Sequence, residues 1–244
     1  MKIINPEIQV EQYNPIKIMR NIERAMRNCY KSEDKMTEDS YNKLLKMAVV
    51  SGHGSVMEHE KITVKITCDV GHYKDLCRHR AGTAFSIEST RYCNYSKGKF
   101  GNELKFIKPV FYTDSWQEKE FGGDDIRDLE DGNEYKSYLW YDCMDDIERK
   151  YMALSQAGAT PDELRMILPH STAADVVMTC NIREWRHVLT LRCSKQAHPS
   201  IRQTLIPLLL KFKKDMPVLF EDIPYDETFP KEKYAKISEL EELG

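Results

Sequence analysis

Lys61-Ile62-Thr63-Val64-Lys65-Ile66-Thr67-Cys68-Asp69-Val70 alternates without a break, and the next residues, Gly71-His72-Tyr73-Lys74-Asp75-Leu76-Cys77-Arg78-His79-Arg80, change period. Successive side chains of a strand point to opposite faces, so Ile62, Val64, Ile66, Cys68 and Val70 make one apolar face. Lys61, Thr63, Lys65, Thr67 and Asp69 make the wet one. From His72 onward Tyr73, Leu76 and Cys77 fall at helical spacing, which predicts a helix over 72–80. That helix delivers Arg78, His79 and Arg80 to its C-terminal end, where the helix dipole favours cations. A half-wet strand feeding a helix, with helical segments on either side, gives an α/β (α+β) fold: a small antiparallel or mixed central sheet flanked by long helices.

Upstream, Asn14-Pro15 is a cap followed by proline, and Ile16, Met19, Ile22 and Met26 keep helical spacing. Tyr41, Leu44, Leu45, Ala48 and Val49 define a second helix, stopped by Gly52. Downstream, Ser89 to Tyr95 and Leu104 to Ile107 read as strands. The polar, acidic stretch from Thr113 to Asn133, with Gly122-Gly123-Asp124-Asp125, reads as a surface insertion. Tyr135 to Gln156 carries Trp140, Met144, Ile147, Tyr151 and Leu154 on one helical stripe. Thr160-Pro161-Asp162-Glu163 is a capping box that starts a short helix ended by Pro169. Ala173 to Cys180 is strand or buried helix. Asn181 with Glu184 starts another helix, and Pro199 starts the last long one, which Pro207 should kink. The charged tail from Glu221 to Gly244 reads as peripheral, and residues 1–244 as a single domain.

The 36 Lys and Arg against 39 Asp and Glu leave a net charge of −3, which argues against a chain that coats polyanions; any basic site must be local. Leu205 to Leu210 is too short to span a bilayer, and Met1-Lys2-Ile3 opens no leader, so a soluble, cytoplasmic protein without a membrane partner is expected. The seven cysteines form no CxxC pair, so no metal site is expected and the thiols should be reduced.

Arg78 and Arg80 flank His79, and Ser86, Glu88, Ser89, Thr90 and Arg91 follow closely. Guanidinium forks beside hydroxyls suit phosphates and carboxylates, although a solvated basic turn would look the same in isolation. Gly52-His53-Gly54-Ser55-Val56-Met57-Glu58-His59 lies between a helix stop and a strand, where ligand-touching loops are common. Its histidines stand six apart, which excludes the HExxH zinc pattern. Nor does a GxGxxG follow a strand, so the fold is not a Rossmann one. Asn181 to Arg192 sets polar groups around an apolar stripe of Trp185, Val188 and Leu189, the pattern of an ordinary amphipathic helix.

Taken in order, these three blocks resemble the motifs of flavin-dependent thymidylate synthases: His-x-Ser-x-x-Glu-His at 53–59, RHR followed by serine and Arg-Tyr at 78–92, and Asn-x-Arg with a later Leu-Arg at 181–192. Eight residues separate Arg80 from Ser89, one more than the family's usual seven, so either Ile87 or Glu88 takes the family's acidic or amide position. Asp75 stands where many relatives carry glutamine. The resemblance implies FAD contacts from His53, Ser55, Arg78, His79, Arg80, Asn181, Arg183 and His187. It implies dUMP contacts from Asp75, Arg78, Glu88, Ser89, Thr90, Arg91 and Arg165, the last often from a neighbouring subunit. Arg192 would face the uracil ring as the catalytic group. It further implies 5,10-methylenetetrahydrofolate as co-substrate, NADPH as reductant and a homotetramer with shared sites. The rival reading is a nucleic-acid- or nucleotide-binding module that uses Arg78-His79-Arg80 for phosphates and Tyr92 and Tyr95 for stacking.

Overall fold

The computed structural model describes residues 1–118 and 132–240. Its strands are β1 (Lys2–Ile4), β2 (Glu7–Val10), β3 (Lys61–Asp69), β4 (Thr83–Ile87), β5 (Lys105–Ile107), β6 (Ala173–Asn181) and β7 (Lys236–Glu239). The helices are α1 (Pro15–Tyr30), α2 (Tyr41–Ser51), α3 (Val70–Leu76), α4 (Gly132–Gln156), α5 (Pro161–Leu164), α6 (Ile182–Arg192), α7 (Pro199–Asp215) and α8 (Pro217–Phe220). Five strands form a sheet in the order β4-β6-β3-β2-β7, while β1 and β5 pair in parallel as a two-stranded sheet. The larger sheet is mixed, since β2 runs antiparallel to β3, with Ile8 opposite Ile66, and parallel to β7, with Ile8 opposite Ile237.

Contacts divide the chain into two compact units. The larger comprises residues 6–67, 72–86 and 175–244. Its core is set by the alternation of β3: Ile62, Val64 and Ile66 have no exposed surface, and Val176, Met178 and Cys180 of β6 are buried likewise. On the wet face Thr63 meets Thr179 at 3.0 Å and Thr67 donates to Asp175 at 2.6 Å, so the polar side is tied across strands as well. Trp185 of α6 is buried against Phe212 of α7, with ring centroids 5.8 Å apart, and its indole N–H reaches the Ile62 carbonyl at 3.0 Å. The smaller unit, residues 1–5, 68–71 and 87–174, has its own core of Tyr95, Leu104, Phe106, Met144, Tyr151 and Leu164.

The caps read in the sequence are formed. Asn14 Oδ1 accepts from the Lys17 amide at 3.0 Å, Gly52 closes α2 at φ 73°, and Thr160 and Glu163 exchange the two bonds of a capping box. Other expectations change. The 72–80 helix instead begins at Val70, which is thereby taken from the strand, and stops at Leu76, so the basic triplet lies in a turn and loop. Its side chains then alternate, with Arg78 and Arg80 exposed and His79 buried between them. The strand expected over 89–95 is a turn in which the Tyr92 and Cys93 amides both donate to the Ser89 carbonyl; the strand lies earlier, at β4. Ambiguous 173–180 is strand β6.

The tail beyond Glu221 is not peripheral: Ile223, Phe229 and Ala235 are buried and β7 joins the sheet. Few apolar residues among many charges concealed this. Helix α7 runs on through Pro207 to Asp215. Most of the acidic insertion placed at 113–133, including its Gly-Gly-Asp-Asp, lies outside the described residues, as does the extreme tail from 241. Among the described residues no helix is long and apolar enough to cross a membrane.

Candidate active site

The larger unit brings together three stretches far apart in sequence. Strand β6 ends at Asn181, whose amide donates to the Gly82 carbonyl at 3.1 Å and whose side chain caps α6 by accepting from the Glu184 amide at 2.8 Å. Gly82 has φ +64°, and a Cβ there would sit 2.0 Å from Asn181 Nδ2, so both the backbone and the close approach require glycine. Two residues on, Arg183 pairs with Glu58 at 2.5 Å, and a Cβ on Gly54 would come within 2.8 Å of Arg183 Nε. The 53–59 loop, the segment after Arg80 and the start of α6 therefore share one surface. His53, Ser55, Arg78, Arg80, Arg183 and His187 are exposed on these segments, which are rich in donors.

Beneath them His79 is 5% exposed. Its Nε2 accepts from Arg192 Nε at 3.0 Å, and its Nδ1 faces Glu184 Oε1 at 3.3 Å. An imidazole nitrogen that accepts carries no proton, so this network assigns the proton to Nδ1, towards the carboxylate. Burial first, then the positive Arg192, His187 and Arg78, push the His79 pKa down to about 4 against the opposing Asp75. Burial raises Glu184, with His187 and Arg183 opposing. The second edge of Arg192 donates to the Asp75 carbonyl at 2.8 Å, and its remaining nitrogen stands 3.7 Å from the Asp75 carboxylate. His187 packs edge-on to His79 at 5.6 Å between centroids. His79, Glu184 and His187 offer ligand atoms within 4.8 Å of one another, but the Arg192 cation on His79 opposes a metal ion there.

In the smaller unit, Glu88 accepts from the Tyr95 hydroxyl at 2.9 Å, Ser89 and Thr90 start the turn, and Arg91 donates to Asp162 at 2.9 Å. Arg165 is exposed in the 3-10 turn that follows α5, held by the Thr160 capping box. Burial pushes the thiols of Cys77, Cys93 and Cys193 up and that of Cys180 to about 12, so none of these is a ready thiolate nucleophile.

Sequence reasoning passed over Glu184, Glu58 and Gly82. Glu184 registered only as part of a helix start, and Glu58 only as a member of the 53–59 block. The signal for Gly82 was its position two residues after the basic triplet and just before a strand.

Residues 13–218 match the family model described as thymidylate synthase complementing protein. Over 210 residues the chain is 28% identical to the flavin-dependent thymidylate synthase of Corynebacterium aurimucosum, covering 82% of this chain and 78% of that protein. It is 30% identical over 210 residues to the probable flavin-dependent thymidylate synthase of Mycobacterium phage D29, covering 83% and 82%. Among solved structures, the UMP/dUMP methylase PolB from Streptomyces cacaoi, bound with 5-Br dUMP, superposes with a TM-score of 0.68 at 21% identity, over 91% of this chain and 96% of that one. Thymidylate synthase X from Helicobacter pylori, with FAD and dUMP, gives 0.65 at 19%, over 89% and 98%. These last two likenesses speak for the fold alone: a mixed α/β fold like that of thymidylate synthase X. The chain belongs to the flavin-dependent thymidylate synthase family, and its activity is that of a flavin-dependent thymidylate synthase.

Proposed function

We propose that this enzyme carries a methylene from 5,10-methylenetetrahydrofolate to C5 of dUMP and reduces it to the methyl of dTMP, with FAD as its flavin, NADPH as reductant and a homotetramer with shared sites as its working form. The observation that carries this reading is the meeting of the 53–59 loop, the 78–82 segment and the 181–192 helix on one surface of the larger unit.

A flavin dinucleotide carries a diphosphate and a planar ring edged with acceptors. It asks for guanidinium, amide and imidazole donors on backbone without obstructing side chains. The residues present fit: Arg78, Arg80, Arg183, His53, Ser55, Asn181 and His187 supply the donors, His79 lies beneath them with both ring nitrogens engaged, and Gly54 and Gly82 keep two approaches tight where a Cβ would intrude. Bound there, the flavin supplies the hydride that completes the methyl group, and NADPH restores it.

The chain's own task is to make C5 of a neutral uracil nucleophilic enough to attack an electrophile, which requires electron density pushed into the ring as negative charge shared by N3 and O4. Arg192, fixed on two edges by His79 and Asp75, stabilises that charge without having to reorganise. Ser89, Thr90, Arg91 and Arg165, with Glu88, are the smaller unit's candidates for the phosphate and sugar of a nucleotide, and Asp75 and Arg78 are the larger unit's, in keeping with sites shared in a tetramer and with a dianion's need for several donors.

Purified protein should be yellow, and with reduced flavin and methylenetetrahydrofolate it should release tritium from C5-labelled dUMP. Colourless protein that releases none and instead binds oligonucleotides in a salt-sensitive way overturns the reading.

A further inference from the structure

We propose that Glu184 is a positioning residue for the synthase reaction, acting through the His79 imidazole to fix the guanidinium of Arg192. This inference rests on the assignment of Arg192 to the uracil ring.

The chain of contacts is continuous. Glu184 Oε1 lies 3.3 Å from His79 Nδ1, and His79 Nε2 accepts from Arg192 Nε at 3.0 Å. Glu184 is 7% exposed and His79 5%, so water does not substitute freely for either contact. Glu184 is itself anchored, because it sits in the first turn of α6 with its amide capped by Asn181. A neutral imidazole can be protonated on either nitrogen, and only the Nδ1–H form leaves Nε2 able to accept from arginine. In the other tautomer two N–H donors point at each other across 3.0 Å, and Arg192 must turn away. A carboxylate at Nδ1 selects the form that holds the guanidinium, as a partner of one imidazole nitrogen sets what the other can do. The Asp75 carbonyl fixes the second edge at 2.8 Å, and the third nitrogen, 3.7 Å from the Asp75 carboxylate, is the one that turns to substrate.

The groups facing His79 are Glu184 and His187 from α6, Arg192 from the end of that helix, and Asp75 and Arg78 from its own segment. Three of these are cationic or cationisable, which keeps the ring neutral across the working range.

The test is Glu184→Ala beside Glu184→Gln in the full-length protein, read three ways. Ring nitrogen NMR of the ligand-free wild type should show His79 protonated on Nδ1, and Glu184→Ala should populate both tautomers. The kcat for tritium release should fall about 10- to 100-fold in Glu184→Ala, the range of partners that orient a working imidazole. KM for dUMP and the Kd for flavin should move less than about threefold, because the loss is confined to the transition state. Glu184→Gln keeps an acceptor at Oε1 and should recover most of that fall.

A wild-type ring protonated on Nε2, an unchanged kcat in Glu184→Ala, or a Glu184→Gln as impaired as the alanine variant overturns the proposal. Should Glu184→Ala not fold, the wild-type ring and Glu184→Gln decide. Wild-type protein that releases no tritium overturns the functional reading instead, and the tautomer measurement, made without ligand, tells the two failures apart.

Discussion

Arg192 in the larger unit and Arg91 in the smaller show two ways of keeping a guanidinium. Arg192 is held at two edges and its side chain is 18% exposed. Arg91 meets one carboxylate, Asp162, and both side chains are more than half exposed, at 56% and 59%. A fixed, half-dry cation acts on charge that develops at one place, whereas an exposed ion pair is weak and exchangeable, so its arginine can leave the carboxylate for an incoming phosphate. Geometry is stored around His79, and availability is kept around Arg91.

The contrast predicts its largest effect at Arg192. Arg192→Ala should lower tritium release about 100- to 1000-fold with flavin still bound, as loss of one preorganised donor does; a loss below about threefold breaks the distinction. The buried imidazoles come next. His79 is lowered to about 4 and His72, chiefly by burial, to about 3, from an ordinary value of 6.5. Both bind fewer protons folded than unfolded between those values. Stability is therefore full above about pH 6.5 and declines as pH falls, by at most about 1.4 kcal/mol per pH unit for each ring. Urea midpoints that stay level from about pH 6.5 to pH 4 contradict this.

Gly82→Ala should then cost about 1–3 kcal/mol, from a left-handed backbone and the intrusion on Asn181, with a matching fall in Tm. Gly54→Ala should cost less, because the neighbour it meets is a flexible Arg183 side chain. Smallest is Asp162→Asn, which should leave Tm within about 1 °C and lower KM for dUMP by less than about threefold, since only an exposed pair is loosened. A larger shift in Tm would make Arg91 a structural residue.

Much of the fold was legible because its signals are local. The alternation from Lys61 to Asp69 needed only the two-residue period, and Asn14-Pro15 and Thr160-Pro161 needed only cap chemistry. The end of α3 was not legible. Tyr73, Leu76 and Cys77 keep helical spacing to the last residue, yet α3 ends at Leu76, and His79 beyond it is buried against Glu184 and Arg192, partners more than a hundred positions away. Strand β7 was hidden for a similar reason: Lys236-Ile237-Ser238-Glu239 has a single apolar residue and becomes a strand by pairing with β2.

The amino-acid order alone determined the chemical inventory: three donor-bearing blocks, a half-wet strand, capped helices and no sequence pattern for a zinc centre. Tertiary structure decided which members of that inventory meet. It alone turned Glu184 from a helix-start residue into the neighbour of His79, and made glycine obligatory at 82. The reason is range: periodicity and capping are settled within a few residues, while a hydrogen bond between positions 79 and 192 exists only once the sheet has fixed both ends of the chain between them.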